Sequence, residues 1–153
     1  MPRRVPVITR EQVADEHKSA YDEISAIRGR PPVVGPSSVL VNSPEMALRS
    51  NRLSEYLGGS KALPEKIKRL AGMIAARSMD CQYIWDAQAT AGRQAGLSHG
   101  LIEALREKKP LSSLPADEAP LVHYGEELVH THYVSEQVFQ AALDQVGLQG
   151  LTE

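Results

Sequence analysis

The chain has 153 residues, 42% of them hydrophobic and 24% charged, with a net charge of −2. That length suits one domain with a sizeable core, and the composition excludes a disordered chain. The near-balanced charge excludes the basic surface that nucleic acid or an anionic membrane selects, and a single cysteine excludes an internal disulfide framework.

The N-terminal MPRRVPVITREQ has no apolar run of signal-peptide length, and no segment approaches the ~20 apolar residues of a membrane span. With one thiol, a reducing cytoplasm is the expected location. Residues 1–8, rich in Pro and Arg, are expected to be an extended tail able to lie across a neighbouring subunit. Thr9 and Gln12 have capping-box spacing. Val13, His17, Ala20, Tyr21, Ile24 and Ile27 then mark the buried face of a helix ending near Gly29.

The segment RGRPPVVGP, from Arg28 to Pro36, is interrupted by three prolines and two glycines and reads as a loop carrying Arg28 and Arg30. Residues 37–41 suit a short helical turn. Ser43, Pro44 and Glu45 supply an N-cap, a proline at N1 and an acidic first turn, and Met46, Leu53, Tyr56 and Leu57 are the expected apolar stripe before Gly58 and Gly59.

Residues 63–96 read as a central helical hairpin. Ile67, Leu70, Ala71, Ile74 and Ala75 recur at helical spacing on its first arm, and Asp80 is the expected N-cap of the second. On that arm Cys81, Trp85, Gln88, Gly92 and Ala95 share one face. Cys81 sits where a helix N-terminus and the Asp80 carboxylate act in opposite senses. Gly96 suits the helix stop.

Ser98 caps a helix to about Lys108, with Leu101, Ile102 and Leu105 inward, and the Arg106–Lys109 charges complement its dipole. Pro110 to Pro115 reads as a loop. Pro120 falls in the first turn of a helix with Leu121, Tyr124, Leu128 and His132 as candidate core positions. Ser135 caps a last helix with Val138, Ala141, Ala142 and Val146 inside and Gly147 at its end. His130 and His132 do not make a metal site, because helical residues two apart point about 200° apart. No alternating Val/Ile/Thr run and no Asn-Gly hairpin competes, so the chain is all-α, with 1–153 as one expected domain.

The run Leu63-Pro64 to Leu70, then Cys81-Gln82-Tyr83 with Trp85, then Ala91 to Ala95-Gly96-Leu97-Ser98, resembles the carboxymuconolactone decarboxylase family, which includes the alkylhydroperoxidase D-like proteins. The resemblance implies an orthogonal helical bundle, a homo-oligomer (trimer, hexamer or dimer-based), no cofactor, and a small-molecule substrate. Family members continue into another long apolar helix where this sequence stops. Its absence points to a naturally short protein, a truncation, or a subunit contact in its place.

The peroxidase-type members carry a glutamate, a Cys-x-x-Cys pair and a histidine at positions that here hold Arg69, Cys81, Ile84 and Gln88. One thiol cannot close a disulfide cycle within the chain, and glutamine and arginine do not relay protons near neutral pH. The resemblance then implies a lyase or decarboxylase-type enzyme acting on a cyclic or lactone acid. Arg69 would neutralise a carboxylate or enolate, Gln88 would orient the substrate and Cys81 would serve as weak acid or wall. Tyr83, Trp85, Arg28 and Arg30 would line the pocket. Two alternatives stay open: a non-catalytic oligomeric binding or structural protein that has lost the redox centre, and a one-cysteine hydroperoxidase.

Overall fold

The computed structural model describes residues 3–109 and 114–153. Among the described residues there are eight α-helices, two short 3-10 turns and no strand, so the chain is all-α. No helix is long and apolar enough to cross a membrane among those residues. The chain divides into two compact units, Met1–Ser60 and Lys61–Glu153.

The first unit holds α1 (Lys18–Arg28), α2 (Ser37–Leu40) and α3 (Pro44–Gly59). The helix expected from the Thr9 capping box onward is instead two 3-10 turns, Arg10–Gln12 and Asp15–His17, with α1 starting only at Lys18. The capping interaction is nevertheless made, with the Thr9 N–H donating to Gln12 Oε1 at 2.8 Å. Val13 leaves the helical region at ψ 135, which ends the first turn. Gly29, at φ +67, supplies the left-handed residue that stops α1. Ile24 and Ala20 of α1 bury against Ala47 and Leu48 of α3. The apolar stripe expected on α3 is the wrong one: Met46, Leu53 and Tyr56 are exposed, while Ala47, Leu48 and Asn51 are buried. The small Ala47 lets α3 approach α1, and buried Asn51 satisfies its amide on the Ala47 carbonyl at 2.7 Å.

The second unit holds α4 (Glu65–Ser78), α5 (Gln82–Gln94), α6 (His99–Arg106), α7 (Ala119–Thr131) and α8 (Glu136–Thr152). Its core joins Ile67, Leu70, Met73 and Ile74 of α4 to Trp85 and Ala89 of α5, Leu101, Ile102 and Leu105 around α6, and Val122 of α7. On α4 the buried face is turned from the expected one. Met73 and Ala76 are inside, whereas Ala71 and Ala75 face out, because α5 and α7 both pack on this helix and draw a wider face inward. On α7 the same happens: Val122 is fully buried, while Leu128 and His132 are exposed.

Close approach of the helices is paid for with glycine. A Cβ on Gly125 of α7 would stand 3.0 Å from two carbons of Ile74, and one on Gly92 of α5 would stand 2.8 Å from Leu97 Cδ1. Gly147 does not end the last helix: it kinks α8 at φ 69, ψ 171, and the helix resumes through Thr152 with Gly150 buried against Leu63. Of the loop expected at 110–115, residues 110–113 lie outside the described residues.

Candidate functional site

The bend between α4 and α5 is a Schellman motif. The Asp80 N–H donates to Arg77 O at 3.3 Å and the Cys81 N–H to Ala76 O at 2.8 Å, with Asp80 in the left-handed region at φ 47. Asp80 therefore closes α4, and the N-cap of α5 is Cys81 itself, whose carbonyl accepts the Trp85 N–H at 2.9 Å. The expectation that Asp80 caps α5 fails because its backbone is committed to ending the previous helix. The thiol, partly buried, is thus held at the positive end of α5.

Cys81, Trp85, Arg77 and Arg106 line a small cleft of about 170 Å³ together with Ala76, Asp80 and Gln82. Trp85 forms its buried wall. Tyr83 points away and is 58% exposed, as its position between the Cys81 and Trp85 faces dictates.

Two turns along α5, Gln88 lies over Gly72 of α4, where an added Cβ would meet its Cδ at 2.8 Å. From that position Gln88 Oε1 accepts a hydrogen bond from Arg69 Nη1 at 3.2 Å. Arg69 Nη2 also donates to Glu65 one turn back, and Arg69 Nε is buried without a partner. Cys81 and Gln88 are seven residues apart, which is within about 20° of one face and about 10 Å along the axis. Arg69 and Gln88 meet, whereas the thiol stands at a distance. None of the three clefts described here is lined by Arg69 or Gln88.

Arg28 and Arg30 belong to the first unit. They line a cleft of about 310 Å³ with Ile27, Asn51, Ser54 and Glu55. Arg28 Nη1 donates to Asn51 Oδ1 at 3.4 Å, and its Nε is buried without a partner.

Three groups escaped the sequence reading. Arg77, at the end of α4, lines both the Cys81 cleft and a larger one of about 400 Å³ among α4, α6 and α7. Lys108 repeats the Asp80 geometry: at φ 52 it closes α6, with its N–H donating to Leu105 O at 3.3 Å and the Lys109 N–H to Ala104 O at 2.9 Å. A side chain in that region costs about 1 kcal/mol relative to glycine. Neither Asp80 nor Lys108 announces itself in sequence, because glycine is the usual signal for this turn. The third group is Glu118, 1% exposed, whose Oε1 lies 2.6 Å from Lys66 Nζ. Hydrogen bonds from Lys66 to Glu118 and Asp117 raise the Lys66 pKa and lower that of Asp117. Among the described residues no group of three or more His, Cys, Asp or Glu side chains is placed to hold a metal ion. His130 Nδ1 donates to the Glu126 carbonyl at 2.8 Å.

No family model, no curated protein and no solved structure matches this chain.

Proposed function

We propose that the chain is a carboxymuconolactone decarboxylase-like protein of the orthogonal-bundle type. In this reading it is a small-molecule lyase or decarboxylase that takes a cyclic or lactone acid along the α4–α5 face. The observation that supports this is Arg69: its guanidinium is held against Gln88, and its buried Nε–H has no acceptor. A ligand carboxylate can supply that acceptor and replace Glu65, making a charge-assisted pair. In a decarboxylation the C–CO2 bond breaks and its electron pair passes to a conjugated carbonyl as an enolate. A guanidinium beside that oxygen stabilises the developing charge, and a proton from water completes the carbon. Cys81 and Trp85 line a separate small cleft further along α5. Exposed Leu128, Tyr133 and Leu148 fit a homo-oligomer, which light scattering of the full chain tests; a monomer at high concentration removes that part of the proposal.

The test is a melting-shift screen of cyclic, aromatic and lactone acids, followed by carbon dioxide release from any that bind. Arg69→Met and Gln88→Leu are expected to weaken the effective acid about 10- to 100-fold. If no acid shifts the melting temperature, or both variants bind it as the parent does, the reading is wrong. A second reading, a non-catalytic scaffold, is favoured by one feature: Glu65 and Gln88 already occupy both terminal nitrogens of Arg69. Binding without turnover would select it.

A further inference from the structure

The larger cleft, among α4, α6 and α7, is separate from the Arg69–Gln88 face and lies wholly within the second unit. Its volume of about 400 Å³ falls in the range of small-molecule pockets. Ile74, Leu105 and Val129, one from each helix, make an apolar floor. At the mouth the chain places Arg77, Lys108 and Lys109 against a single lining carboxylate, Glu126, so the lining charge is 3 − 1 = +2 with His130 neutral. The chain as a whole carries −2.

Nearby carboxylates offset this. Asp80 Oδ1 is shared, 2.9 Å from Arg77 Nη1 and 3.4 Å from Lys108 Nζ, and Glu107 pairs with Lys109. With Glu126, three carboxylates then face the three cations, and the donor left unanswered is Arg77 Nε, which is buried without a partner. Lys108 itself stands in the left-handed region at φ 52.

We propose that this cleft binds a small organic monocarboxylate with an apolar body, its carboxylate on Arg77 and Lys108 and its body against Ile74, Leu105 and Val129. A neutral molecule of the same shape offers Arg77 Nε only a weaker, uncharged acceptor. A small inorganic anion leaves the floor wet. Recognition thus needs both halves of the ligand. Because Arg77 also lines the Cys81 cleft, a bound carboxylate would sit one side chain away from the thiol.

Isothermal titration of the full chain with octanoate, octanamide and inorganic phosphate tests this. Saturable octanoate binding is expected, with octanamide and phosphate each at least about tenfold weaker. Arg77→Met should lose about tenfold in octanoate affinity, and Val129→Trp, which fills the floor, should abolish binding. Lys108→Gly keeps the left-handed backbone while removing the ammonium, so the fold survives even if the other two variants do not; a several-fold loss is expected. Octanamide or phosphate binding as tightly as octanoate, or unchanged octanoate affinity in Lys108→Gly, overturns the proposal. Arg69→Met should leave octanoate binding here intact, so this site and the proposed lyase face can fail independently.

Discussion

The two units differ in how deep their ion pairs reach. In the first unit, charged pairs lie on the outside. Arg10 Nε and Nη2 grip both oxygens of Asp22 at 2.5 and 2.7 Å, and Arg52 grips Glu23 at 2.7 and 2.8 Å, with all four side chains well exposed. The cores beneath are modest, built on Ile24, Leu48, Tyr21 and Val41. The second unit has one large apolar cluster, yet charge reaches its interior, where Lys66 meets a Glu118 that is 1% exposed; a buried Nε with no partner occurs in both units, on Arg28 of the first and on Arg69 and Arg77 of the second. Exposed pairs can be lost at little cost, whereas buried unanswered donors persist only where something else uses or tolerates them.

The largest effect expected from breaking this contrast is at Lys66. Lys66→Met leaves the Glu118 carboxylate buried with neither oxygen answered, and should cost about 3 to 5 kcal/mol. Trp85 is the only tryptophan and lies in the second unit, so urea unfolding followed by its fluorescence reports that unit directly. The double variant Lys66→Met, Glu118→Met should recover much of the loss. If the single variant costs under about 1 kcal/mol, the pair is not buried as described.

The pH dependence follows from the same cluster. Lys66 has its pKa raised above the ordinary 10.5, first by its hydrogen bond to Glu118, so its contribution is present below that value and is lost as pH climbs through the higher folded value. Asp117, lowered below 3.8 by its hydrogen bond from Lys66, contributes above 3.8 and loses that contribution as pH falls through the lower folded value. Removing Lys66 and Glu118 together, in the double variant, should flatten the stability profile at both extremes.

Within the second unit, two glycines sharpen the distinction between a polar face and a packed one. Gly92→Ala drives a methyl to 2.8 Å from Leu97 Cδ1 and 3.3 Å from Met73 Sδ, inside the core, and should cost about 1 to 3 kcal/mol in the same fluorescence assay. Gly72→Ala meets only the end of the Gln88 side chain. Gln88 swings off Arg69 at a cost of about 1 kcal/mol, which the better helix propensity of alanine offsets by a similar amount. Stability should barely move while acid binding at Arg69 falls. Equal losses in the two variants would mean that the Gln88 face is as tightly packed as the core.

What could be read from sequence follows the same physical divide. Local backbone chemistry was legible: Ser98 Oγ accepts the Leu101 N–H at 3.1 Å, Pro44 opens α3, and Gly29 and Gly96 close helices at φ 67 and φ 94. Helix rotation was less so. Ala71 and Ala75 fit a 3.6-residue stripe as well as Met73 and Ala76, and alanine is equally at home in water, so only the partners that pack on α4 decide between them. The sheltered cations were illegible for a further reason. Arg77 and Lys108 face a cleft because Asp80 and Lys108 adopt a turn that glycine normally makes, and the long-range partner of Lys66 stands 52 residues away in sequence. Helical spacing puts Gln88 on the face of Cys81, and Arg69 enters only through the family resemblance; nothing in the spacing of either announces that they meet.

The smallest effect belongs to the first unit. Its Arg52–Glu23 pair has bidentate geometry, the best case for a surface ion pair, yet both side chains stay open to water, at 57% and 42% exposure. Solvent screening and the entropy of fixing two long side chains should hold its coupling energy to about 0.5 to 1 kcal/mol. A double-mutant cycle on Arg52→Ala and Glu23→Ala measures this, and 1 M salt should remove most of it, because the Debye length then shrinks to about 3 Å. A coupling that stayed large in high salt would mean that the pair is sheltered in solution. The first unit would then hold a sheltered ion pair, as the second does at Lys66 and Glu118.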